Sequence, residues 1–541
     1  MVGSEVSGTG AGVGTGGGSL VLRLCGPVIL LSFAVLLATV FLFHWQDPRY
    51  TVDSWAYFEL SRSLREGSYH LEHLRSFVSP PDAPSTAFPP GFPAVWAMAD
   101  VLTGTGLRAG IVVNVVAVAL IAWQCEVLVR RFAGLPFAGL ALAGLLLRFP
   151  GFFDEVVAGR SIPLTIALVL QAFLLMTRSP APRAVHAACA GLCSGITILL
   201  RFDMLPFALC LAAWMAIAFF RGQRRVAVAF VFGLAAIWLP WLLASLNIHG
   251  RLLASDSSWV AMAADPDAFA TDWFPQGSSP QSAAQDPQMF LHKVISHLLQ
   301  LPGALILAPG SIGYGLFLLL TALHVAWRPR LYPTGLSFGF KGLMTAPVMA
   351  GLAFTIATLS MFPGYVLTGY LDDRYFSLFW LILLGWLIVP LLRLGRARPM
   401  IMAGLAFASL AGAWSGMVMG WDEIWSKAEA RMTEAPTASP QQIAACLRSQ
   451  PPGQDRALVI DATQAARLAA EYGLKTSLVP RNFLEGRLSE KDKEAFLETF
   501  HIGLVVDSPL TEAPDLIPAR WLVQAPRTCG PQTYVRMAPG V

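Results

Sequence analysis

Charge is what this 541-residue chain has least of: Asp, Glu, Lys and Arg make up 13% of it. An ordinary soluble domain carries about 25%. With 55% hydrophobic residues and a mean hydropathy of +0.57, there are too few charges to wet the surface of a globule. A soluble enzyme, a coiled coil and a disordered scaffold are excluded. Cysteine is scarce, with seven in the chain. Cys25, Cys125, Cys189, Cys193 and Cys210 fall in apolar segments, where free Cys packs as a small hydrophobe. Cys189 and Cys193 are one helical turn apart, but no His or carboxylate joins them to make a metal site. The GxxxxGK[ST] pattern of nucleoside triphosphate loops is absent. The glycines between Gly8 and Gly18 precede an apolar run rather than linking a strand to a helix, so they read as a disordered tail. A net charge of +4, spread along the chain, gives no nucleic-acid partner.

What is there is a series of long apolar runs. A spanning helix needs about 20 apolar residues. The runs that qualify are 22–44, 109–129, 133–150, 161–177, 184–200, 204–220, 226–246, 301–326, 343–362, 375–392 and 400–419, about eleven in all. The first has no small-residue cleavage site after it, so it reads as a retained span. The stretch 88–104 is apolar but short and interrupted by Pro89, Pro90 and Pro93. It reads as an interfacial helix.

Loop charge sets the orientation. With the N-terminus cytoplasmic, the inner turns hold Arg130–Arg131, Arg178 with Arg183, Arg221 with Arg224 and Arg225, Arg328 with Arg330 and Lys341, and Arg393 with Arg396 and Arg398. That is the positive-inside pattern. It predicts a multi-pass membrane protein whose C-terminal part is extracytoplasmic. The acids then fall outside. Inside the membrane only Glu126 and neutral groups such as Asn114, Gln171, His186 and His324 interrupt the apolar runs. Ion-coupled transporters usually place ionisable groups at mid-membrane depth; here the chemistry sits at the outer interface.

Past residue 421 charges become frequent. The segments 456–461, 475–480 and 501–507 read as strands, and 463–472 and 489–500 as helices, the last capped by Ser489. The predicted organisation is a tail (1–21), an all-α polytopic domain (22–420) and a small extracytoplasmic α/β domain (421–541). In that compartment Cys446 and Cys529 can form a disulfide.

Candidate chemistry lies on the predicted outer side. Asp53 opens a segment with Trp55, Phe58, Leu60 and Leu64 on an apolar side and Glu59, Arg62 and Glu66 elsewhere, which reads as an amphipathic helix flat on the membrane. Asp53 is either its N-cap or a catalytic carboxylate. Pro89-Pro90-Gly91 sets a rigid turn before the next helix. Asp154-Glu155 follows the third run, Arg201 with Asp203 follows the fifth, and Asp372-Asp373-Arg374-Tyr375 precedes the tenth. The acids can be solvated loop charges and the arginines snorkelling anchors. The loop 247–300 carries Trp259, Phe269, Trp273, Phe274 and Phe290. A long loop without regular structure is often a lid, and its aromatics suit either a sugar or an interfacial anchor.

This arrangement resembles the GT-C membrane glycosyltransferases, in the branch of the protein O-mannosyltransferases and the aminoarabinose transferase of lipid A. The matching features are Asp53 with Tyr57 after the first span, Pro89–Pro90, Asp154 and Glu155, and Arg374–Tyr375, in order and on one side, over about residues 22–420. The chain departs from many relatives in having Ser after Asp53 rather than a second acid, and no His before Pro89. The resemblance implies a polyprenyl-phosphate sugar donor and a glycan, lipid or protein acceptor, used on the periplasmic side of a bacterial inner membrane. It implies Asp53 as general base, Asp154 or Glu155 positioning the acceptor or a metal, and Arg201 and Arg374 on the donor phosphate. Tyr57, Asp203, Asp372, Asp373 and Tyr375 would line the substrate, and transfer would invert the sugar carbon. Asp53, Asp154 and Glu155 would suit Mg²⁺ or Mn²⁺; His70 and His73 read as a solvated pair. The competing readings are a flippase for a lipid-linked substrate and a non-catalytic membrane assembly protein.

Overall fold

The computed structural model describes residues 16–46, 48–71, 74–75, 85, 88–176, 183–220, 222–250, 260, 262–266, 272, 282–307, 365–367, 377–378, 381, 398–433, 438–449, 456–507, 527–529 and 533–537. The chain begins with α1 (Gly16–Gln46), α2 (Val52–Arg65), a short strand β1 (Leu74–Arg75) and α3 (Gly91–Thr103). It continues through α4 (Ala109–Ala133), α5 (Ala138–Leu147), α6 (Pro150–Val157), α7 (Ile162–Met176), α8 (Ala184–Leu200), α9 (Leu205–Phe220) and α10 (Arg224–His249). Beyond these come α11 (Pro287–Leu307) and α12 (Arg398–Thr433).

Among the described residues, four stretches are long and apolar enough to cross a membrane: Leu20–Trp45, Gly106–Arg131, Arg224–His249 and Arg398–Val418. A further pair, Gly151–Val157 and Ile162–Met176, passes together but is bent by 109°. The expected spans 343–362 and 375–392 lie outside the described residues, apart from Ser377, Leu378 and Leu381. The 133–150 run differs from expectation. It yields only a 10-residue α5, about 15 Å at 1.5 Å per residue, half of a bilayer's hydrocarbon depth. The expected 301–326 run also differs, because its helix starts at Pro287. The end of the 247–300 loop is therefore helical. Within the same loop, Ala263 and Ser282 form an antiparallel bridge.

Close contacts rest on small residues and buried amides. A Cβ on Gly191 would overlap the Phe230 carbonyl, and one on Gly233 the Ala188 carbonyl. Two glycines thus let α8 and α10 touch backbone to backbone, as small residues do between membrane helices. Gln124 of α4 donates Nε2 to the Ala167 carbonyl (2.9 Å) and to Gln171 Oε1 (3.1 Å) of α7. Glu126 serves the fold, since its carboxylate accepts the backbone N–H groups of Phe137 (2.7 Å) and Gly139 (3.2 Å). It satisfies free amides at the start of α5. Apolar clusters fix the ends of the bundle. Cys25 and Ile29 pack with Val129, Leu135, Met402 and Leu405 at one end. Tyr50, Trp55, Phe92, Trp96, Ala109, Ile111 and Leu200 pack together at the other.

The C-terminal residues form α13 (Pro440–Arg448), β2 (Arg456–Val459), α14 (Ala462–Tyr472), β3 (Thr476–Ser477), α15 (Arg481–Leu484), α16 (Glu490–Thr499), β4 (Ile502–Asp507), β5 (Arg527–Thr528) and β6 (Tyr534–Met537). Strands β2, β3 and β4 and helices α14 and α16 fall where the sequence placed them, and Ser489 Oγ accepts the Asp492 N–H at 3.2 Å. The sheet order is β1-β3-β2-β4-β6-β5. The first four strands are parallel, and β6 pairs antiparallel with β4 and β5. Both faces are covered, as a parallel sheet requires: Leu458 and Val505 pack with Phe483 and Phe496, while Ala457, Val459, Leu504 and Val506 pack with Ile443 and Leu468. Cys446 and Cys529 are bonded as expected, with Cα atoms 5.5 Å apart.

The edge strand β1 comes from the first loop, hundreds of residues upstream. Helix α14 lies on α2, with Ala466, Ala469 and Ala470 in the Tyr50–Trp96 cluster. This corrects the flat amphipathic helix: α2 is covered on several sides, and Glu59, expected on its polar side, is buried.

Candidate functional site

The site end of the bundle is built where α2, the start of α3, the α6–α7 bend and the end of α8 converge. Thr51, not Asp53, is the N-cap of α2. Its N–H donates to Ser54 Oγ at 3.1 Å. Asp53 stands half-buried in the first turn, where the helix dipole favours a carboxylate. This leaves its side chain outside the capping role.

One turn on, Tyr57 is buried against the rings of Phe88 (4.7 Å) and Phe92 (4.9 Å). Its Oη lies 3.5 Å from Ser161 Oγ, across 104 residues of sequence. Burial pushes its phenol well above the ordinary range, Asp53 adds to that, Arg201 opposes it and Glu155 adds again. The charges of three predicted site residues therefore reach one hydroxyl. Tyr69 donates to the Phe88 carbonyl (2.8 Å) and fixes the turn that carries that ring.

The Pro-Pro-Gly turn has a steric reason. An added Cβ on Gly91 would sit 2.5 Å from the Leu199 carbonyl oxygen, so only glycine lets α3 start against the end of α8. Arg201 follows directly, in extended backbone. Its Nε reaches Asp203 Oδ1 at 3.0 Å and its Nη2 reaches Asp203 Oδ2 at 2.7 Å. The two expected residues are thus one bidentate pair.

Asp154 and Glu155 point apart on α6. Asp154 has a 54% exposed side chain near Arg49 Nη1 at 3.8 Å. Glu155 is fully buried and meets Arg160 Nε at 2.9 Å. Asn114 of α4 donates Nδ2 to the Glu155 carbonyl at 2.9 Å. The pair Asp154–Glu155 therefore does not converge on one ion, and no group of three His, Cys, Asp or Glu gathers for a metal among the described residues. Asp372, Asp373, Arg374 and Tyr375 lie outside the described residues, as does His73.

Sequence reasoning passed over Arg160 and Ser161. The available signal was Gly159 directly before them, a glycine where a short helix ends. It also missed how helix α14 of the C-terminal part reaches α2. Arg62 Nη1 donates to the Ala470 carbonyl at 3.4 Å, and Arg65 ties α2 to Asp100 of α3 at 2.7 Å.

No protein-family model matches the chain, and no curated protein is significantly similar to it in sequence. Solved structures are similar in fold. ArnT from Cupriavidus metallidurans, crystallised with undecaprenyl phosphate and in the apo state, superposes with a TM-score of 0.51 at 14% identity, over 94% of this chain and 97% of ArnT. The oligosaccharyltransferase of Archaeoglobus fulgidus gives a TM-score of 0.45 at 13% identity, over 89% of this chain and 69% of its own. The chain has the fold of the GT-C membrane glycosyltransferases.

Proposed function

We propose that the protein is a membrane glycosyltransferase that moves a sugar from a polyprenyl-phosphate donor to an acceptor hydroxyl on the extracytoplasmic side, with inversion. The observation that carries this reading is buried Tyr57, one turn after Asp53, meeting Ser161 of the α6–α7 bend at 3.5 Å within electrostatic reach of Arg201 and Glu155. A lipid-linked donor needs a tail in lipid and a phosphate and sugar at the interface. This site stands at one end of an apolar bundle, beside a bent helix pair. The basic turns support an inner-membrane orientation that leaves the site and the C-terminal domain outside.

In the proposed step the acceptor oxygen attacks the anomeric carbon, its proton passes to Asp53, and the bond to the phosphate oxygen breaks. The lipid phosphate leaves with that electron pair. A placed base contributes roughly 10²- to 10⁴-fold. A guanidinium stabilises the charge that grows on the leaving phosphate. Arg374 and Tyr375 would complete the donor side, and Asp372 and Asp373 the acceptor side. The described carboxylates do not fit a shared metal, so no step passes through Mg²⁺ or Mn²⁺.

The test is transfer from a polyprenyl-phosphate monosaccharide by the purified full-length protein, with release of polyprenyl phosphate. Asp53→Asn is expected to lose at least 10²-fold in kcat while remaining monodisperse. Unchanged turnover in that variant removes Asp53 as base. A wild-type protein that moves the donor across vesicles without cutting it is a flippase. Full activity in a chelator confirms a metal-free step, and loss restored by Mg²⁺ or Mn²⁺ overturns it.

A further inference from the structure

The bend between α6 and α7 is a Schellman ending. Gly159 adopts a left-handed φ of 65°. Its N–H donates to the Val156 carbonyl (3.2 Å), and the Arg160 N–H to the Glu155 carbonyl (3.0 Å). This ending brings together the side chains at the positions of Glu155 and Arg160, which in most proteins are apolar. Here they are a carboxylate and a guanidinium, 0% and 13% exposed. Replacing a buried ion pair with apolar groups is often neutral or stabilising, so the helix end itself does not call for these charges.

The pair is also one-sided. Glu155 Oε1 approaches Nε of Arg160 at 2.9 Å. Among the described residues, the two terminal nitrogens of Arg160 take part in no hydrogen bond. Arg201, in contrast, already holds Asp203 through Nε and Nη2. Arg160 is followed at once by Ser161, which reaches Tyr57 Oη, so its backbone is at the site. Helix α7 begins at the next residue, and the positive end of its dipole favours an anion.

We infer that Arg160 holds the phosphate of the lipid-linked donor through its terminal nitrogens, with Glu155 as the buried carboxylate that orients it. This rests on the donor reading above and changes one expectation from the sequence: Glu155 acts through Arg160 and not on the acceptor. A guanidinium edge presents two N–H groups to phosphate oxygens. The bend then places a cation and a helix N-terminus together, where an intact span would bury its backbone amides in helix.

The experiment measures equilibrium binding of undecaprenyl phosphate and of uncharged undecaprenol to the full-length protein in detergent. Arg160→Gln is expected to weaken undecaprenyl phosphate binding about 10- to 100-fold, the scale of lost hydrogen bonds to a charged group. Undecaprenol binding stays unchanged, and Arg160→Lys recovers part of the loss. Glu155→Gln weakens phosphate binding less than Arg160→Gln, because the cation remains but is no longer held. If Arg160→Gln does not fold with Glu155 left alone, the double variant Glu155→Gln/Arg160→Gln removes both charges and takes the same measurement. Wild-type affinity for undecaprenyl phosphate in either folded variant overturns the assignment. A wild-type protein that binds both lipids equally overturns the donor reading itself.

Discussion

The buried carboxylate of Asp272 accepts the backbone N–H of Asn482 at 3.1 Å, although 210 residues separate the two. The same Oδ1 lies 3.3 Å from Arg487 Nη2. A residue of the loop after α10 is thus fastened to the helix that follows β3. Together with β1 in the sheet and α14 on α2, it joins the C-terminal part to both long loops.

Asp272→Ala leaves the Asn482 amide without its acceptor, a cost of about 1–3 kcal/mol. Arg487 is partly exposed, and water replaces much of its half of the interaction. The expected result is faster hydrogen exchange over residues 481–487 and a lower unfolding midpoint, with the span helices unaffected. Exchange rates equal to wild type would show that the contact fastens nothing.

Gly91→Ala drives a methyl into the Leu199 carbonyl, and backbone cannot move aside as a flexible side chain can. The start of α3 or the end of α8 must shift. Overpacking of this kind costs about 1–3 kcal/mol, and the displaced α8 end carries Arg201. Turnover should fall further than thermal stability suggests. An alanine variant with wild-type kinetics would remove the packing argument for the Pro-Pro-Gly turn.

The Cys446–Cys529 bond closes a loop of 83 residues, for which chain entropy gives about 4.5 kcal/mol. Its two ends lie in α13 and just after β5, on the face of the sheet packed by Val459 and Val506. Cys446→Ser with Cys529→Ser should raise exchange across residues 438–537 while α4 and α10 stay protected. Equal loss of protection in the spans would instead mean that the two parts unfold as one unit.

Three buried tyrosines set an alkaline limit. Burial raises the phenols of Tyr50, Tyr57 and Tyr69. Their folded-state values lie above the unfolded value of about 10. The stability they contribute is complete below about pH 10 and is lost as pH rises from there through the folded values. The unfolding midpoint should be flat from pH 8 to 9.5 and fall above pH 10, less steeply in Tyr57→Phe. An identical slope in that variant would mean that Tyr57 ionises as freely in the fold as in the unfolded chain.

Much of the architecture was legible in the sequence because its signals are local. Apolar runs mark helices by length alone, and α1, α4, α8 and α10 appear where those runs stand. Ser489 and the alternating pattern of 501–507 announced α16 and β4. The reading failed where length misleads. The 133–150 run is apolar enough for a span, yet Glu126 caps a new helix after Pro136 and the run is split. Glu59 looked solvated because nothing in α2 itself records that other segments bury it.

Composition and periodicity determined that this chain lives in a membrane, that its helices are apolar rods and that its charges gather between them, because transfer of side chains from water to lipid is a property of each segment. The outer-loop positions put Asp53, Glu155 and Arg201 among the candidates, and the resemblance to the GT-C glycosyltransferases added Tyr57. Only the tertiary structure decided which of them meet. Thr51 took the cap and left Asp53 outside it, Asp154 and Glu155 turned opposite ways on one helix, and a single left-handed glycine set Arg160 against Glu155. Those outcomes depend on contacts between segments far apart in the chain, and no local window of sequence contains both partners.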